Sequence, residues 1–149
     1  MSVLGIEWLN ILQDNGYRIT ASRRAVIDVL AESECALNPT EIFDFARQHY
    51  DSLGLVTVYR TVAKLEELGL IQQVHHPDGC EAYIAATSGH QHLLICQSCG
   101  KATYFQGDKL DHLVEKVENE SGFLIREHWL QLFGLCSQCQ QKALEVSPN

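Results

Sequence analysis

The chain has no run of apolar residues long enough to cross a bilayer. Its opening stretch, Met1 to Leu12, carries Glu7 where a secretion leader would have a basic start and an unbroken apolar segment. The sequence therefore predicts a cytoplasmic protein with no membrane partner. Positive charge is also scarce: 11 lysines and arginines stand against 19 aspartates and glutamates, a formal net charge of -8. That balance excludes indiscriminate attraction to nucleic acid, so any binding to DNA must use a local basic patch. What the chain does have is 149 residues, 46% of them hydrophobic, enough to bury a core in one domain or in two small ones.

Four of the six cysteines fall into matched pairs. Cys96-Gln-Ser-Cys99, followed by Gly100, is answered beyond residues 100–135 by Cys136-Ser-Gln-Cys139. A two-residue gap lets both thiolates of one tight turn face a single ion, so two such turns complete a tetrahedral sulfur shell. Gly100 frees the backbone to fold back and aim amide groups at the sulfurs. The competing reading is two disulfides or four buried thiols. Isolated core cysteines have no reason to fall into two matched pairs, and a reducing compartment disfavours disulfides. We expect one structural zinc site, a staple for a C-terminal half too small to be stable alone.

Leu4, Trp8, Ile11 and Leu12 share one helical face, closed by Asn15-Gly16. Thr20 is a candidate cap for a second helix from about Ala21 to Glu32, and Asn38-Pro39-Thr40-Glu41 has the pattern of a capping box with proline at the first helical position. A fourth helix is expected from about Val56 to Leu68, with Val58, Val62 and Leu65 inward and Thr57, Arg60, Thr61 and Lys64 on the opposite face. Leu70 to Val74, the Pro77-Asp78-Gly79 turn and Tyr83 to Ala85 then read as a hairpin. For an arbitrary amphipathic helix, an outer face of this kind is a solvated surface. Here it follows another helix through a short turn and precedes a hairpin, the order of a winged helix-turn-helix. In that fold Arg60 reaches base edges or phosphate in the major groove, and Tyr59 adds an apolar and hydroxyl contact. Arg18, Arg23 and Arg24 form the local basic patch that meets phosphates.

Thr57-Val58-Tyr59-Arg60-Thr61-Val62, continuing through Leu65-Glu66-Glu67-Leu68-Gly69-Leu70-Ile71, resembles the recognition-helix segment of the ferric uptake regulator (Fur) superfamily of bacterial metal-dependent repressors. Gly16-Tyr17-Arg18-Ile19-Thr20 with Arg23, the His90-Gln91-His92 strand running into Cys96, and both cysteine pairs match other landmarks of that family in the same order. The similarity spans roughly Leu9 to Gln140. It implies an α+β protein, with a winged-helix DNA-binding domain over residues 1–84 and an αβ dimerisation domain carrying the cysteine site over 85–149. It further implies a hinge near Asp78 to Ala86, a homodimer and a double-stranded palindromic operator bound when a regulatory metal is loaded. Asp14 stands where many members have a lysine that enters the minor groove, so that contact is not expected here.

The second half also has a reading of its own. His90, His92, Leu94 and Cys96 alternate, so on a strand they share a face, and two imidazoles at i, i+2 can chelate one ion. A strand from about Ala102 to Gln106 leads to Asp108, a good cap for a helix running to about Ser121 with Asp111 in its first turn; His128 falls on an expected final strand, Phe123 to Leu135. His90, His92, Asp111 and His128 would make a four-coordinate site suited to zinc and tolerant of iron, cobalt or nickel. On spacing alone, surface histidines with an unrelated aspartate explain the pattern equally well.

The resemblance separates these readings. His90 and His92 match one of the family's two alternating ligand sets, and Asp111 and His128 match that set's remaining partners. Gln91 and Leu93 stand where the other set has histidines, and Tyr104, Ile84 and Ala36 where its further ligands fall. One regulatory site is thus expected intact and the usual hinge site dismantled, which argues against the peroxide-sensing branch and favours a zinc-responsive member, with iron as the alternative ion. Cys80 with His75 or His76 forms a candidate non-standard hinge site, against the plainer reading of a polar hairpin with a small thiol; Cys35 is equally a core residue. The expected function is a repressor of metal-uptake genes that works as a metal-linked switch and is not an enzyme. A zinc hydrolase or deaminase would combine the same ligand types, but no glutamate general base adjoins them and the winged-helix segment would have no role. A zinc-stapled module that binds a protein partner is the remaining alternative, separated from a DNA regulator by the effect of losing Arg60.

Overall fold

The computed structural model describes residues 1–75, 79–87, 91–107 and 109–146. His76, Pro77, Asp78, His90 and Asp108, all named above, lie outside these described residues. The chain divides into two compact units, Met1–Ala86 and Thr87–Asn149. Its class is α+β, as the sequence implied.

The first unit contains α1 (Val3–Asp14), α2 (Ala21–Glu32), α3 (Pro39–Arg47), α4 (Leu55–Glu67) and the hairpin β1 (Ile71–His75) and β2 (Glu81–Ala85). Local chemistry sets most of the helix starts. Thr20 accepts a hydrogen bond from the Arg23 amide at 3.2 Å. Asn38 accepts from the Glu41 amide at 2.9 Å while the Glu41 carboxylate accepts from the Asn38 amide at 2.8 Å, so the reciprocal capping box forms with Pro39 in the first turn. Gly54 caps α4 with no side-chain bond. Gly69, at φ 69°, takes the left-handed conformation just past its end.

Leu12, Val26, Ile27, Leu30, Ile42, Val58 and Leu65 are fully buried between the helices, and Trp8, Ile71 and Tyr83 join the same cluster. The wing pairs antiparallel from Ile71↔Ala85 to His75↔Glu81. It also gains a bridge to the segment before α3: Leu37 donates to the Tyr83 carbonyl at 2.9 Å and accepts from the Tyr83 amide at 2.8 Å. After α1, the three helices α2, α3 and α4 followed by the hairpin β1–β2 make this unit a winged helix.

The second unit is a three-stranded sheet ordered β4-β3-β5 with two helices: β3 (Gln91–Cys96), β4 (Ala102–Gln106), α5 (Leu110–Ser121), β5 (Gln131–Gly134) and α6 (Ser137–Val146). β3 pairs antiparallel with β4 and parallel with β5, so Cys96 lies opposite Gly134. The structure corrects two expectations and adds one element. The last strand is only Gln131–Gly134, and residues 122–130, including His128, form no regular element. Phe123, Leu124 and Trp129 are 73%, 76% and 83% exposed, and among the described residues no strand of this unit runs beside them to complete a ladder. The residue capping α5 is Lys109, with no side-chain cap bond. Finally α6, which the sequence reading did not place, carries the second cysteine pair at its start.

Because Leu65 sits at 0% exposure against α4's neighbours, Leu65→Ala is expected to lower stability by about 2–5 kcal/mol. Urea unfolding followed by circular dichroism checks this, and bound metal measured in the folded state should not change.

Candidate metal centre and nucleic-acid interface

The cysteine quartet is assembled by three pieces of backbone. Cys96 ends β3, Cys99 lies in the turn after it, and Cys136 and Cys139 flank the start of α6. The first turn closes with Gly100 donating to the Cys96 carbonyl at 2.9 Å at a φ of 75°, the left-handed conformation expected of that glycine. The second is held by the Gln97 amide on the Gly134 carbonyl (2.8 Å) and by the Gln140 amide on the Cys136 carbonyl (2.9 Å). All four sulfurs lie within 4.8 Å of one another, and all four cysteines are free of disulfides. Cys99 and Cys136 have their sulfurs 3.8 Å apart. Two sulfurs at about 2.3 Å from one tetrahedral ion are separated by about 3.8 Å, whereas a disulfide needs about 2.05 Å. The quartet therefore fits a structural zinc site.

Its electrostatics call for a cation. Burial opposes ionisation of Cys96, but the amides of Cys136, Cys99 and Ser98 point at its sulfur and bring the thiol down to about 6. The Cys136 amide is 3.4 Å from that sulfur. For Cys139 the Ser98 hydroxyl favours the thiolate, yet Cys136, burial, Cys96 and Cys99 together push it up to about 11. The four sulfurs cannot all carry charge side by side without a positive ion among them.

Of the four residues expected to hold a regulatory metal, His92 and His128 come together, with ring centroids 5.4 Å apart and planes tilted by 40°. His92 is buried on β3, its ring 5.6 Å from Phe105 on β4. Asp111 is exposed in the first turn of α5. Among the described residues it does not join the pair as a third ligand, since the cysteine quartet is the one group of three or more candidate ligands. His90 lies outside the described residues. Gly107 is a participant the sequence reading missed. A Cβ there would stand 2.6 Å from His92 Nε2 and 2.8 Å from Leu110 Cδ1. The missing side chain lets the imidazole lie against the turn that starts α5, where Gly107's carbonyl accepts from the Leu110 amide at 2.9 Å. A glycine between β4 and α5 was the only signal available for this. The exposed Cys80 and His75, whose cross-strand partner is Glu81, belong to no described group of three or more candidate ligands; His76 lies outside the described residues.

The helix face expected to meet DNA is rotated from the one read in the sequence. Thr61 is fully buried and donates to the Thr57 carbonyl at 2.8 Å, and Thr57 is half-buried. The exposed stripe is Val56, Tyr59, Arg60, Ala63 and Glu67. Lys64 has partners inside its own unit: its ammonium bonds Glu67 at 2.8 Å and lies 5.1 Å from the centre of the Tyr17 ring. Glu67 first, then Tyr17, holds it above its ordinary value. Arg23 likewise donates from Nη1 to the Arg18 carbonyl, which ties down the segment carrying Arg18. Arg18, Arg24, Tyr59 and Arg60 remain exposed.

A profile described as the ferric uptake regulator family matches residues 14–133. The ferric uptake regulation protein of Neisseria meningitidis serogroup A is 28% identical over 132 residues, covering 88% of this chain and 92% of the relative. The peroxide operon regulator of Bacillus subtilis is 29% identical over 136 residues, covering 91% and 93%. The solved structure of the Helicobacter pylori ferric uptake regulator, described as having three functional metal binding sites, superposes with a TM-score of 0.72 at 26% identity, covering 93% of this chain and 95% of that one.

Gly107→Ala should force the His92 ring from its seat. The expected outcome is a displaced His92 imidazole signal in histidine-detected NMR with the signals of the cysteine region unchanged. An unmoved His92 resonance would show that the glycine's small size is immaterial.

Proposed function

The chain belongs to the ferric uptake regulator family, and from that premise we propose that it is a homodimeric, metal-dependent repressor that binds operator DNA and controls metal-uptake genes, with zinc as its regulatory ion. Members of this family are transcription regulators, and the chain is not an enzyme. The observation that carries the reading is the exposed Tyr59 and Arg60 on the last helix of a winged helix, with Arg18 and Arg24 also exposed in the same unit, in a chain of net charge -8. This unit thus offers exposed arginines despite the acidic total, as DNA recognition requires.

Residues 1–84 are assigned to DNA binding and 85–149 to metal binding and dimerisation. Support for a dimer comes from apolar surface with nothing of its own unit to cover it. None of α5 is buried although Leu113 and Val117 lie on it, and Phe123, Leu124, Trp129 and Leu132 are exposed in the same unit. A second copy laid on this surface would bury it.

Cys96, Cys99, Cys136 and Cys139 would hold structural zinc, and His90, His92, Asp111 and His128 the regulatory ion. The closeness of His92 and His128 and the space left by Gly107 support the second site. Three imidazoles with one carboxylate suit tetrahedral zinc, and Gln91 and Leu93 replace the histidines of the family's other set. Iron is the second reading, favoured by the similarity to ferric uptake regulation proteins; ligand identity accommodates both ions. The switch itself is linkage: if the DNA-competent state binds metal more tightly, DNA binding tightens when metal is present, and a coupling of about 1–3 kcal/mol changes operator affinity roughly 5- to 150-fold.

Metal content and operator titrations across buffered zinc and iron test this. The His90→Ala/His92→Ala protein is expected to keep one zinc per chain and to lose metal-dependent DNA binding. A normal response would overturn the assignment of the regulatory site, and a response to iron alone would overturn the choice of zinc. Arg60→Ala should abolish operator binding. Lys64→Met, by contrast, should leave the slope of log K against log salt unchanged because its charge is tied to Glu67. Loss of a phosphate contact would reduce that slope by about 1.

A further inference from the structure

The outward stripe of α4 is apolar where a solvent-facing helix would be polar. Val56 is 63% exposed, Tyr59 53% and Leu55 40%, all within the first five residues of the helix. Single exposed apolar residues are ordinary; three in so short a stretch, alongside exposed Arg60, are not. Valine also disfavours helix relative to alanine, so local structure supplies no reason for it at this position.

The charge pattern along the helix says which end meets DNA. Near the C-terminal end Glu66 is exposed and repels phosphate, and the Lys64 charge there is taken up by Glu67. The N-terminal end has no side-chain cap and carries the positive end of the helix dipole. A helix of this polarity enters a major groove N-terminal turn first. The Val56 isopropyl group has no hydrogen-bonding capacity, and the one base-edge group in the major groove complementary to it is the 5-methyl of thymine.

We infer that Val56 is a specificity-determining residue that packs on a thymine methyl group in the operator. Val56 precedes Arg60 by four residues, about 6 Å along the helix axis, so its thymine lies within about two base pairs of the base that Arg60 reaches. The inference rests on the DNA-binding reading above and adds to it a base preference with a named cause.

The experiment starts from random-sequence duplex DNA. Zinc-loaded full-length protein selects its preferred sequence, and each thymine of that sequence is then replaced singly by uracil, which removes the methyl group alone. Wild type should lose about fourfold in affinity per half-site at the contacted thymine, the worth of one buried methyl-sized group. Val56→Ala should bind the thymine and uracil duplexes equally at that position while keeping the wild-type discrimination at every other. Because Val56 is exposed, the variant should unfold at the same temperature as wild type. An unchanged thymine-to-uracil ratio in the variant at every position overturns the inference, as does indifference of wild type to uracil throughout, the result expected if this face meets a protein. Failure to select any sequence overturns the DNA-binding reading itself and this inference with it.

Discussion

Four sulfurs gathered within 4.8 Å of one another are the constraint on which the second unit depends. That unit has little else: three short strands, an α5 with no buried residue and an α6 in which Cys139 alone is buried. The quartet joins the end of β3, the turn that follows it and the first turn of α6, places a small hydrophobic core could not hold together. Cys96 is drawn down to about 6 while Cys139 is pushed up to about 11, so the sulfurs of the cluster do not ionise alike. Backbone amides stabilise one thiolate, and each further negative sulfur works against its neighbours. A divalent cation turns that repulsion into cohesion, and its binding free energy becomes folding free energy.

The first unit is held in a different way. Its helices share a continuous apolar cluster running from Trp8 to Tyr83, and the rotation of α4 about its own axis follows from what that cluster accepts. Val58, Thr61, Val62 and Leu65 go inward together, which leaves Val56, Tyr59 and Arg60 outside. In this unit the cations sort into two kinds. Lys64 and Arg23 are bound within the protein and hold the segment bearing Tyr17 and Arg18, while Arg18, Arg24 and Arg60 are exposed. An acidic protein thereby keeps a small cationic surface without depending on its net charge.

Much of this was legible in the chain because the responsible interactions are local. The capping box at Asn38 and Glu41, the cap at Thr20 and the left-handed turn at Gly100 are short-range devices, and each is found where the residues predicted it. The two cysteine pairs were equally plain, since a two-residue spacing has a geometric meaning whatever surrounds it. The pairing of His92 with His128 was reached only through resemblance to a family, because spacing along the chain left surface histidines an equal explanation.

Sequence by itself determined the helices and hairpin of the first unit and the cysteine quartet, which rest on periodicity, capping or fixed spacing, and the fold class through resemblance to a family. Tertiary structure decided the rest. Thr61 reads as polar and outward, yet its hydroxyl is satisfied by the Thr57 carbonyl one turn back, so it can be buried at no hydrogen-bonding cost. Lys64 reads as a solvated cation on the outer face, but its ammonium bonds Glu67 and lies over the Tyr17 ring. The final strand reads as Phe123 to Leu135, but a strand exists only where a neighbour completes its ladder, and β3 does so for Gln131–Gly134. Gly107 shows in the sequence only as a glycine between β4 and α5, because its role is the space it leaves for His92, a residue on β3.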